Sequence, residues 1–594
     1  MVVVPFTTSP GSTRILLTGP QSGKPSSMRL IAFLCLSVLL VQCSTPEKPR
    51  DREGEGGKHY GGVFNANESE ELRGLFPLSL VQAASHRIAA QVYEGLVRFD
   101  QADLSLRPAL ADSWTVDPSG TVYTFKLHQG VKFHDDTCFS EGIGREFTSK
   151  DVVHAFTALC SYSELNQMFW LFQDRVVGAN AQYSATTKGE EGPGVKGLEA
   201  VDPYTVRISL TAPWPNFLQI LAHQGCWIFP AELVARYGAE AQWHPVGTGP
   251  FRFKTWTKGE VMVLEREPKY WGKDELGNSY PFLDAVRYTF VKDKNKELDE
   301  FEAGHLSAVY ELPVDRTDIL RSASGFQVQT IPGLTVQFYG FNMRHAPFDD
   351  QRIRKAFSMA IDRQVIVDSV LNGLAVAAGH GVVAPGFESY PYDLVPKTVF
   401  DPEAARALLA EAGHPEGKDL PTVYLQVNND GFGYVRVAGA VQAMLERNLG
   451  VRVVSSVLPA EQHYERVEKG HALFWREGWI VDHPDPENFL ALFYGKNVPL
   501  DTAAPSYLNS TRYHNAHFDS LFAEALRTDD KTRRMTLLAG AEKQLMEDMV
   551  VTPLYHERSV RLLQPWVRDM PINGMEYRDL RGVWFDPAAR GTAQ

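Results

Sequence analysis

A short loop near residue 485 concentrates the side chains that could do chemistry. Asp482, Asp485 and Glu487 place three carboxylates beside His483 within six residues, and two prolines separate them. Paired carboxylates can act as general acid and base, and a mixed carboxylate and imidazole set can bind a metal ion. The alternative is a polar loop that its prolines stiffen. Composition alone leaves both interpretations open.

The rest of the sequence lacks the spacings that would support catalysis. It contains no GxSxG nucleophile motif, no HExxH zinc motif, no complete phosphate-binding loop and no CxxC pair. The 17 histidines form no pair at ligand spacing on a convincing helix. The sequence therefore predicts no resident metal or cofactor and no enzymatic activity. A secreted hydrolase that uses residues 482–487 is the distant alternative.

The loop follows the clearest run of predicted elements, between Thr422 and Trp479. Apolar spacing and β-branched runs predict strand, helix, strand, helix and strand in that order. Such alternation implies crossover connections and a partly parallel sheet. The predicted elements are Thr422–Val427, a helix with Tyr434, Ala438, Val441 and Leu445 on one face and ended by Gly450, Val451–Val457, Ala460–Glu468 and Ala472–Trp479.

Other segments extend the same mixture of helix and strand. Tyr204–Leu210 alternates with period two and predicts a strand. Asp401 and Pro402 are typical of the cap and first position of a helix that Gly413 ends. Phe251–Trp256 and Val261–Arg266 predict an antiparallel hairpin. The predicted fold class is therefore α/β, divided over more than one lobe.

Composition excludes several classes of protein. The 594 residues include 59 Lys and Arg against 72 Asp and Glu, which gives a net charge of −13. A nucleic-acid-binding protein needs a net basic surface, so no nucleic-acid partner is expected. Five cysteines in a chain of this length exclude a disulfide-stapled scaffold.

The N-terminus has the pattern of an export signal. Arg29 precedes an eleven-residue apolar run, Leu30–Leu40, which is too short to span a bilayer. We interpret Met28 as the true start and residues 1–42 as the signal sequence. Leu40 to Cys43 resembles a bacterial lipobox, although Gln42 departs from the usual small residue. Cys43 is thus the expected lipidation site, and plain cleavage is the alternative.

A polar segment follows the predicted lipidation site. Residues 43–57 are rich in proline, glycine and charge, and such a segment cannot bury enough apolar surface to fold. We therefore predict a flexible tether between a lipid anchor and a globular body. The expected location is exported and lipid-anchored to the cell envelope, either periplasmic or on the outer face of the cytoplasmic membrane.

A series of motifs extends over nearly the whole predicted mature chain. The motifs are Val92–Phe99, Pro108–Trp114, Tyr123–His134, Phe147–Val153, Pro245–Phe251, Glu265–Trp271, Pro347–Arg363, Asp401–Gly413, Gly478–Phe489 and Pro553–His556. Each motif alone is weak, but the ordered series is specific. In this order and spacing the motifs resemble the family 5 extracellular solute-binding proteins, which are peptide- and oligopeptide-binding components of ABC importers.

The resemblance implies a two-lobed clamp with an extra small domain, whose lobes close over ligand by hinge motion. Lobe I would comprise residues 58–93, 200–312 and 558–594. The extra domain would comprise residues 94–199, and lobe II residues 313–557. The chain would cross between the lobes near Leu312 and near Tyr555. The family also implies a monomer that works with a membrane permease and ATPase.

The resemblance also implies how a peptide ligand would bind. Asp482 occupies the family position that holds the peptide ammonium, and Arg476 the position that meets the peptide carboxylate. Trp479 would supply a flat apolar wall. Backbone pairing with the peptide, as in β-augmentation, is expected from Gly478–Ile480 and from Ser85 and His86. The alternatives are loop capping for Asp482, a surface ion pair for Arg476 and core packing for Trp479.

The ligand itself remains open at this level. A peptide is the first expectation, because an ammonium buried in a closed cleft needs an anion and Asp482 supplies one. Relatives in the family take metal chelates, haem, oligosaccharides or opines, so a non-peptide ligand in the same transport role is the alternative.

One insertion departs from the family pattern. Residues 138–146 stand where the family usually has a short turn, within the predicted extra domain. Cys138 and Cys160 belong to the same predicted domain and are our expected disulfide, which would leave Cys226 unpaired.

Overall fold

The computed structural model describes residues 52–317, 319, 325–387, 389–429, 433–501 and 504–590. The largest sheet has eight strands. Six of them lie side by side, and two more pair with the long strand Val551–Leu563. In spatial order the six are Ala308–Tyr310, Val551–Leu563, Thr335–Phe341, Phe474–Ile480, Val423–Asn428 and Val453–Leu458, and the other two are Gln327–Pro332 and Ala375–Ala377.

Two four-stranded sheets and three strand pairs complete the β structure. The first sheet has the order Phe251–Thr257, Val261–Arg266, Ala285–Thr289, Val63–Asn67, and the second the order Ala111–Val116, Val122–Leu127, Thr205–Ser209, Leu198–Asp202. The pairs are Arg52–Glu53 with His59–Tyr60, Val97–Phe99 with Leu106–Pro108, and Val567–Arg568 with Trp584–Phe585.

Helices pack against these sheets. The α-helices are Ala83–Ala89, Ser149–Leu159, Ala179–Thr187, Phe217–Leu221, Ala231–Tyr237, Lys294–Glu302, Gln351–Met359, Arg363–Val365, Pro402–Glu411, Tyr434–Leu449, Ala460–Glu468, Pro486–Leu490, Ala516–Ala525, Lys531–Asp548 and Pro587–Arg590. A π-helical turn spans Ile366–Val370. Short 3₁₀ turns lie at Glu55–Gly57, Pro77–Ser79, Ser140–Gly142, Phe169–Leu171, Gln224–Cys226, Gly238–Trp243, Tyr392–Leu394, Pro415–Gly417, Ala491–Phe493 and Gly495–Asn497.

The predicted run from Thr422 to Trp479 is confirmed. Val423–Asn428 pairs in parallel with Val453–Leu458, and the helix Tyr434–Leu449 connects them. Gly450 ends that helix with a φ of 70°, a left-handed conformation that glycine adopts at low cost. The helix buries Val437, Val441 and Leu445 because they recur at helical spacing. The predicted hairpin around Gly259 and the strand Thr205–Ser209 also form.

The central strands set the position of the candidate site. Thr335–Phe341 is buried at every residue and pairs antiparallel with Phe474–Ile480, so that Gln337 faces Gly478. On its other side, Phe474–Ile480 pairs with Val423–Asn428 only at Phe474 and Trp475. Within the described residues, the rest of that edge, from residue 477 to 480, has no strand partner. The strand Phe474–Ile480 thus begins between two partner strands and ends with one of its two edges unpaired.

Two predicted domain boundaries fall inside sheets. Thr205–Ser209, which the predicted boundary at residue 200 places in lobe I, pairs with Val122–Leu127 of the extra domain. Val551–Leu563 runs unbroken through the predicted crossing at Tyr555. The strand pairing is compatible with a chain that crosses between lobes along a strand, so the domain limits stay predictions.

The N-terminal segment is partly folded. Signal residues 1–42, Met28 and the lipidation site Cys43 lie outside the described residues. Residues 52–57, which we predicted as part of the flexible tether, are instead ordered against the body. The Glu55 amide donates to Asn278 Oδ1 at 2.8 Å, and Lys58 lies 3.4 Å from Asp274. Among the described helices, none is long and apolar enough to cross a membrane.

The expected disulfide between Cys138 and Cys160 is wrong. Cys138, Cys160 and Cys226 are three separate thiols. Cys138 lies half-buried in the insertion beside Asp136, whereas Cys160 ends the helix Ser149–Leu159 in the core. Burial raises the pKa of Cys226 and Cys160 adds to that rise, so the thiol near Cys160 is that of Cys226. Shared domain membership did not bring the predicted pair together.

Candidate functional site: a cleft between the lobes

A cleft separates residues of predicted lobe I from residues of predicted lobe II. The 82–87 helical segment and Gln224 line one wall, and Tyr434, residues 476–482 and Tyr507 line the other. Its cavity volume is about 180 Å³, which is room for roughly a dozen water molecules. The cleft is therefore large enough to admit ligand groups in place of water.

Asp482 lies on this wall, directly after the strand Phe474–Ile480. Its amide donates to Asn488 Oδ1 at 3.0 Å, and Trp479 Nε1 donates to the same oxygen at 2.7 Å. Asn488 belongs to the short helix Pro486–Leu490, which Asp485 caps by accepting from the Glu487 amide. The buried Asn488 side chain thus holds both the Asp482 backbone and the Trp479 ring in position.

The carboxylate of Asp482 is held charged. Gln224 Nε2 donates to its Oδ1 at 2.8 Å, and His223 Nε2 lies 3.3 Å from its Oδ2. Burial alone would raise the pKa of Asp482, but His223 and Gln224 outweigh burial and hold that pKa at about 2. At neutral pH the Asp482 carboxylate is therefore negatively charged. Among the described side chains, those of His223 and Gln224 contact it.

Arg476 lies deeper in the same wall. It is 5% exposed, and its guanidinium donates to Gln337 Oε1 at 2.5 and 3.0 Å and to Asn428 Oδ1 at 3.2 Å. The ring of Tyr434 stacks beneath it at 3.4 Å. Arg476 forms no ion pair with a carboxylate of the described residues. Its hydrogen bonds are to neutral groups, so its charge remains available to an anionic ligand group.

Trp479, Gly478 and Ile480 lie along the open edge of the strand. Trp479 is half-buried, and its ring centroid is 6.3 Å from that of Tyr507. Gly478 packs so closely on Gln337 that an added Cβ would lie 2.4 Å from the amide oxygen. The unpaired backbone here fits the expected β-augmentation, since an extended ligand can add a strand only to an open edge.

Ser85 and His86 do not fit the backbone pairing predicted for them. Both lie in the helix Ala83–Ala89, where the His86 amide donates to Gln82 O and its carbonyl accepts from Ala90. A helical backbone cannot extend a strand ladder. His86 instead contributes its side chain to the cleft and packs against Trp227 at 5.4 Å. Burial lowers the pKa of His86 to about 4, so this wall carries a neutral ring.

The remaining acids of the 482–487 loop are used internally. Arg534 contacts Asp485 through two hydrogen bonds of 2.6 and 2.9 Å, and Glu487 at 3.0 Å. Arg175 contacts Glu487 at 2.9 Å from the opposite side. Among the described residues no cluster of three or more potential ligands could hold a metal ion. Asp485 and Glu487 are therefore structural anions that pair with buried arginines.

Sequence reasoning missed the residues that position Asp482. Gln224 and His223 lie about 260 residues earlier in the chain, and nothing in their local spacing relates them to the loop. Asn488 did carry a signal, because it lies within the quoted motif Gly478–Phe489. Glu477 was not predicted as a site residue, although it lies between Arg476 and Gly478, which the resemblance selected.

These features define a class of protein: a two-lobed α/β clamp with a ligand cleft between its lobes. The model of the bacterial extracellular solute-binding proteins, family 5, matches residues 105–499. The chain belongs to this family, whose members are non-enzymatic binding proteins of transport systems.

Individual relatives agree with that assignment. The glutathione-binding protein GsiB of Shigella dysenteriae is 26% identical over 517 residues, covering 85% of this chain and 91% of that protein. DppA of Helicobacter pylori, solved with the peptide STSA, superposes with a TM-score of 0.78 at 23% identity, covering 89% of this chain and 98% of that one. The murein tripeptide binding protein MppA of Escherichia coli gives 0.77 at 23% identity, with coverages of 88% and 98%. At these identities the two structures establish the fold.

Proposed function

We propose that this protein captures short peptides in its cleft and delivers them to the permease and ATPase of an ABC importer. The protein would act outside the cytoplasm as a monomer, held to the cell envelope by a lipid on Cys43. The cleft performs no reaction in this proposal. It binds a solute, excludes water from it and releases it to the membrane complex.

One observation carries the peptide assignment. Asp482 stays ionised at the cleft wall, and no lysine or arginine of the described residues pairs with it. A charge in such a site favours a ligand that brings the opposite charge and hydrogen-bond donors. A peptide ammonium has both, and the open edge of residues 477–480 would pair with the backbone that follows it.

The relatives support the size of the ligand. GsiB is described as binding glutathione, DppA was solved with a tetrapeptide, and MppA is described as binding a murein tripeptide. All three are short peptides. Arg476, with no carboxylate partner, would receive the ligand carboxylate.

A double cycle of protein mutation against peptide acetylation tests the proposal. Truncating one member of a buried charge pair costs ~2–5 kcal/mol, so Asp482→Ala should weaken binding of a free tripeptide roughly 30-fold or more. The N-acetylated tripeptide should bind the wild type poorly and lose little further affinity on mutation. Asp482→Asn should also weaken the free peptide, because it preserves shape without charge.

Calorimetry supplies the measurement, and Glu461→Ala on an exposed part of a helix is the control. Equal losses for free and acetylated peptides would show that Asp482 only shapes its loop. A cleft that binds a chelate or an oligosaccharide and no peptide would replace the proposed ligand class.

A further inference from the structure

The cleft has more acidic side chains than a simple peptide needs. Seven aspartate and glutamate side chains line it against three arginines. Three of the carboxylates already have a cation: Glu468 pairs with Arg73 at 3.6 Å, and Glu311 and Glu576 both pair with Arg87. The other four, Glu70, Glu477, Asp482 and Glu557, have no lysine or arginine partner among the described residues.

The proposed peptide accounts for only part of this excess. Its ammonium would neutralise Asp482, and its carboxylate would occupy Arg476. Glu557 shares Gln337 with Arg476, since Gln337 donates to Glu557 at 3.0 Å and accepts from Arg476. That arrangement leaves Glu70 and Glu477 as acids of the cleft with no lysine or arginine ion pair among the described residues and no charged terminus of the peptide to meet them.

Glu477 is the better placed of these two. Trp475 Nε1 and Ser510 Oγ both donate to its Oε2, at 2.8 and 2.7 Å, so the carboxylate is fixed in position. Both donors are neutral and both contact the same oxygen. No hydrogen bond within the described part of the chain uses the second oxygen, Oε1.

The position of Glu477 on its strand gives it aromatic neighbours. Residues two apart on a strand project to the same face, so Glu477 and Trp479 lie on one side and Arg476 on the other. Tyr507 packs near Trp479 on this side. A carboxylate beside two aromatic rings suits a lysine or arginine side chain, which can pair with the acid and lie over a ring.

A ligand cation would stabilise the charged form of Glu477. Burial raises the pKa of Glu477, while Trp475, Ser510 and Arg476 lower it, and an added cation would favour the charged form further. Burial also raises the pKa of Tyr464, Arg476 lowers it, and the charges of Glu70 and Glu477 raise it, so both acids lie within electrostatic reach of that ring. The open strand edge shows independently that the ligand backbone can pass beside Glu477.

Resting on the function proposed above, we propose that the preferred ligands are basic peptides. A lysine or arginine side chain near the ligand's amino terminus would lie between Glu477, Trp479 and Tyr507, with Glu477 as its ionic partner. Glutathione, whose net charge is negative, would be a poor ligand despite the similarity to GsiB.

Matched tripeptides test the preference. Ala-Lys-Ala and Ala-norleucine-Ala have nearly the same shape and differ by the side-chain ammonium, and Ala-Glu-Ala reverses the charge. Calorimetry on the wild type should give Ala-Lys-Ala at least about tenfold higher affinity than Ala-norleucine-Ala, with Ala-Glu-Ala and glutathione weaker still.

The variant Glu477→Gln tests whether Glu477 causes the preference for the lysine peptide. It keeps the side-chain shape and an oxygen for Trp475 and Ser510, so the ratio of the affinities for Ala-Lys-Ala and Ala-norleucine-Ala should fall from at least about tenfold to about one. Glu461→Gln, an exposed acid outside the cleft, should retain the advantage. Equal affinity of the lysine and norleucine peptides for the wild type, tighter binding of glutathione, or a lysine advantage that survives Glu477→Gln would overturn the inference.

The outcomes also separate this inference from the proposed function. If Ala-norleucine-Ala binds as well as Ala-Lys-Ala and acetylation abolishes both, peptide binding stands and the basic preference fails. If none of the tripeptides binds and the diamine cadaverine does, both the peptide assignment and the inference fail.

Discussion

The acids of the cleft show how environment decides the role of one side-chain type. Asp482 accepts a hydrogen bond from Gln224, lies beside His223 and stays charged. Asp485, three residues away, is neutralised by Arg534 and caps a helix. The Glu557 carboxyl group accepts a hydrogen bond from the Gln337 amide, and burial raises the pKa of Glu557 to about 8. The same functional group is thus a charged acid at the cleft wall, a structural anion or an acid protonated at neutral pH.

The state of Glu557 predicts a pH dependence of stability. Its pKa is raised from 4.5, first by burial and then by the charge of Glu311, so the folded protein holds a proton that the unfolded chain releases. The free energy of unfolding should therefore fall as pH rises between about 4.5 and about 8. Glu557→Gln should remove that part of the fall.

Chemical denaturation at about pH 5 and about pH 9 measures the effect. The variant should gain stability over the wild type at the higher pH and little at the lower pH. The exposed control Glu461→Gln should change neither value, and an equal effect of Glu557→Gln at both pH values would contradict the assignment.

At the scale of elements, the strand Phe474–Ile480 and the short helix Pro486–Leu490 act together. The strand carries Arg476 and Trp479 and ends at Ile480, two residues before Asp482, while the helix supplies Asn488, which bonds the Trp479 ring and the Asp482 amide. Behind the helix, Glu487 connects Arg534 with Arg175 of the predicted extra domain. The buried charge network therefore supports the loop that bears Asp482.

Removing the centre of that network should destabilise the fold. Glu487 is 1% exposed, and Glu487→Ala would leave Arg175 and Arg534 buried with less negative charge. Breaking a buried ion pair in this way typically costs ~3–5 kcal/mol of unfolding free energy. Urea denaturation measures it, and Glu461→Ala should lie within ~0.5 kcal/mol of the wild type. A loss below about 1 kcal/mol would mean that water or rearrangement satisfies the two arginines.

At the scale of the whole molecule, the described body is a ligand-binding clamp whose location depends on residues outside it. If Cys43 carries lipid, three acyl chains exceed the two that stable anchoring requires. Cys43→Ser should therefore move the protein from the membrane fraction to the soluble fraction. Cys138→Ser removes a thiol of the body and should leave the distribution unchanged. Retention of the Cys43→Ser protein at the membrane, without its transport partners, would exclude the anchor.

The sequence by itself determined the local elements and the family. Helical and strand periodicity, the Asp401 cap and Gly450 predicted elements that formed within a few residues, because these signals act between neighbours in the chain. The ordered motifs identified the two-lobed clamp and selected Asp482, Arg476 and Trp479, all of which line the cleft. That residue choice came from resemblance, since spacing alone left the loop as a possible catalytic or metal site.

Only the tertiary structure decided which partner each polar group meets. Gln224 and His223 reach Asp482, and Arg175 reaches Glu487, across more than 250 residues of sequence. Ser85 and His86 lie in a helix, so their backbone cannot pair with a strand. Cys138 and Cys160 pack in different places and stay separate thiols. The reason is physical: periodicity reports which face of an element is buried, but burial, charge pairing and an open strand edge depend on elements that only folding brings together.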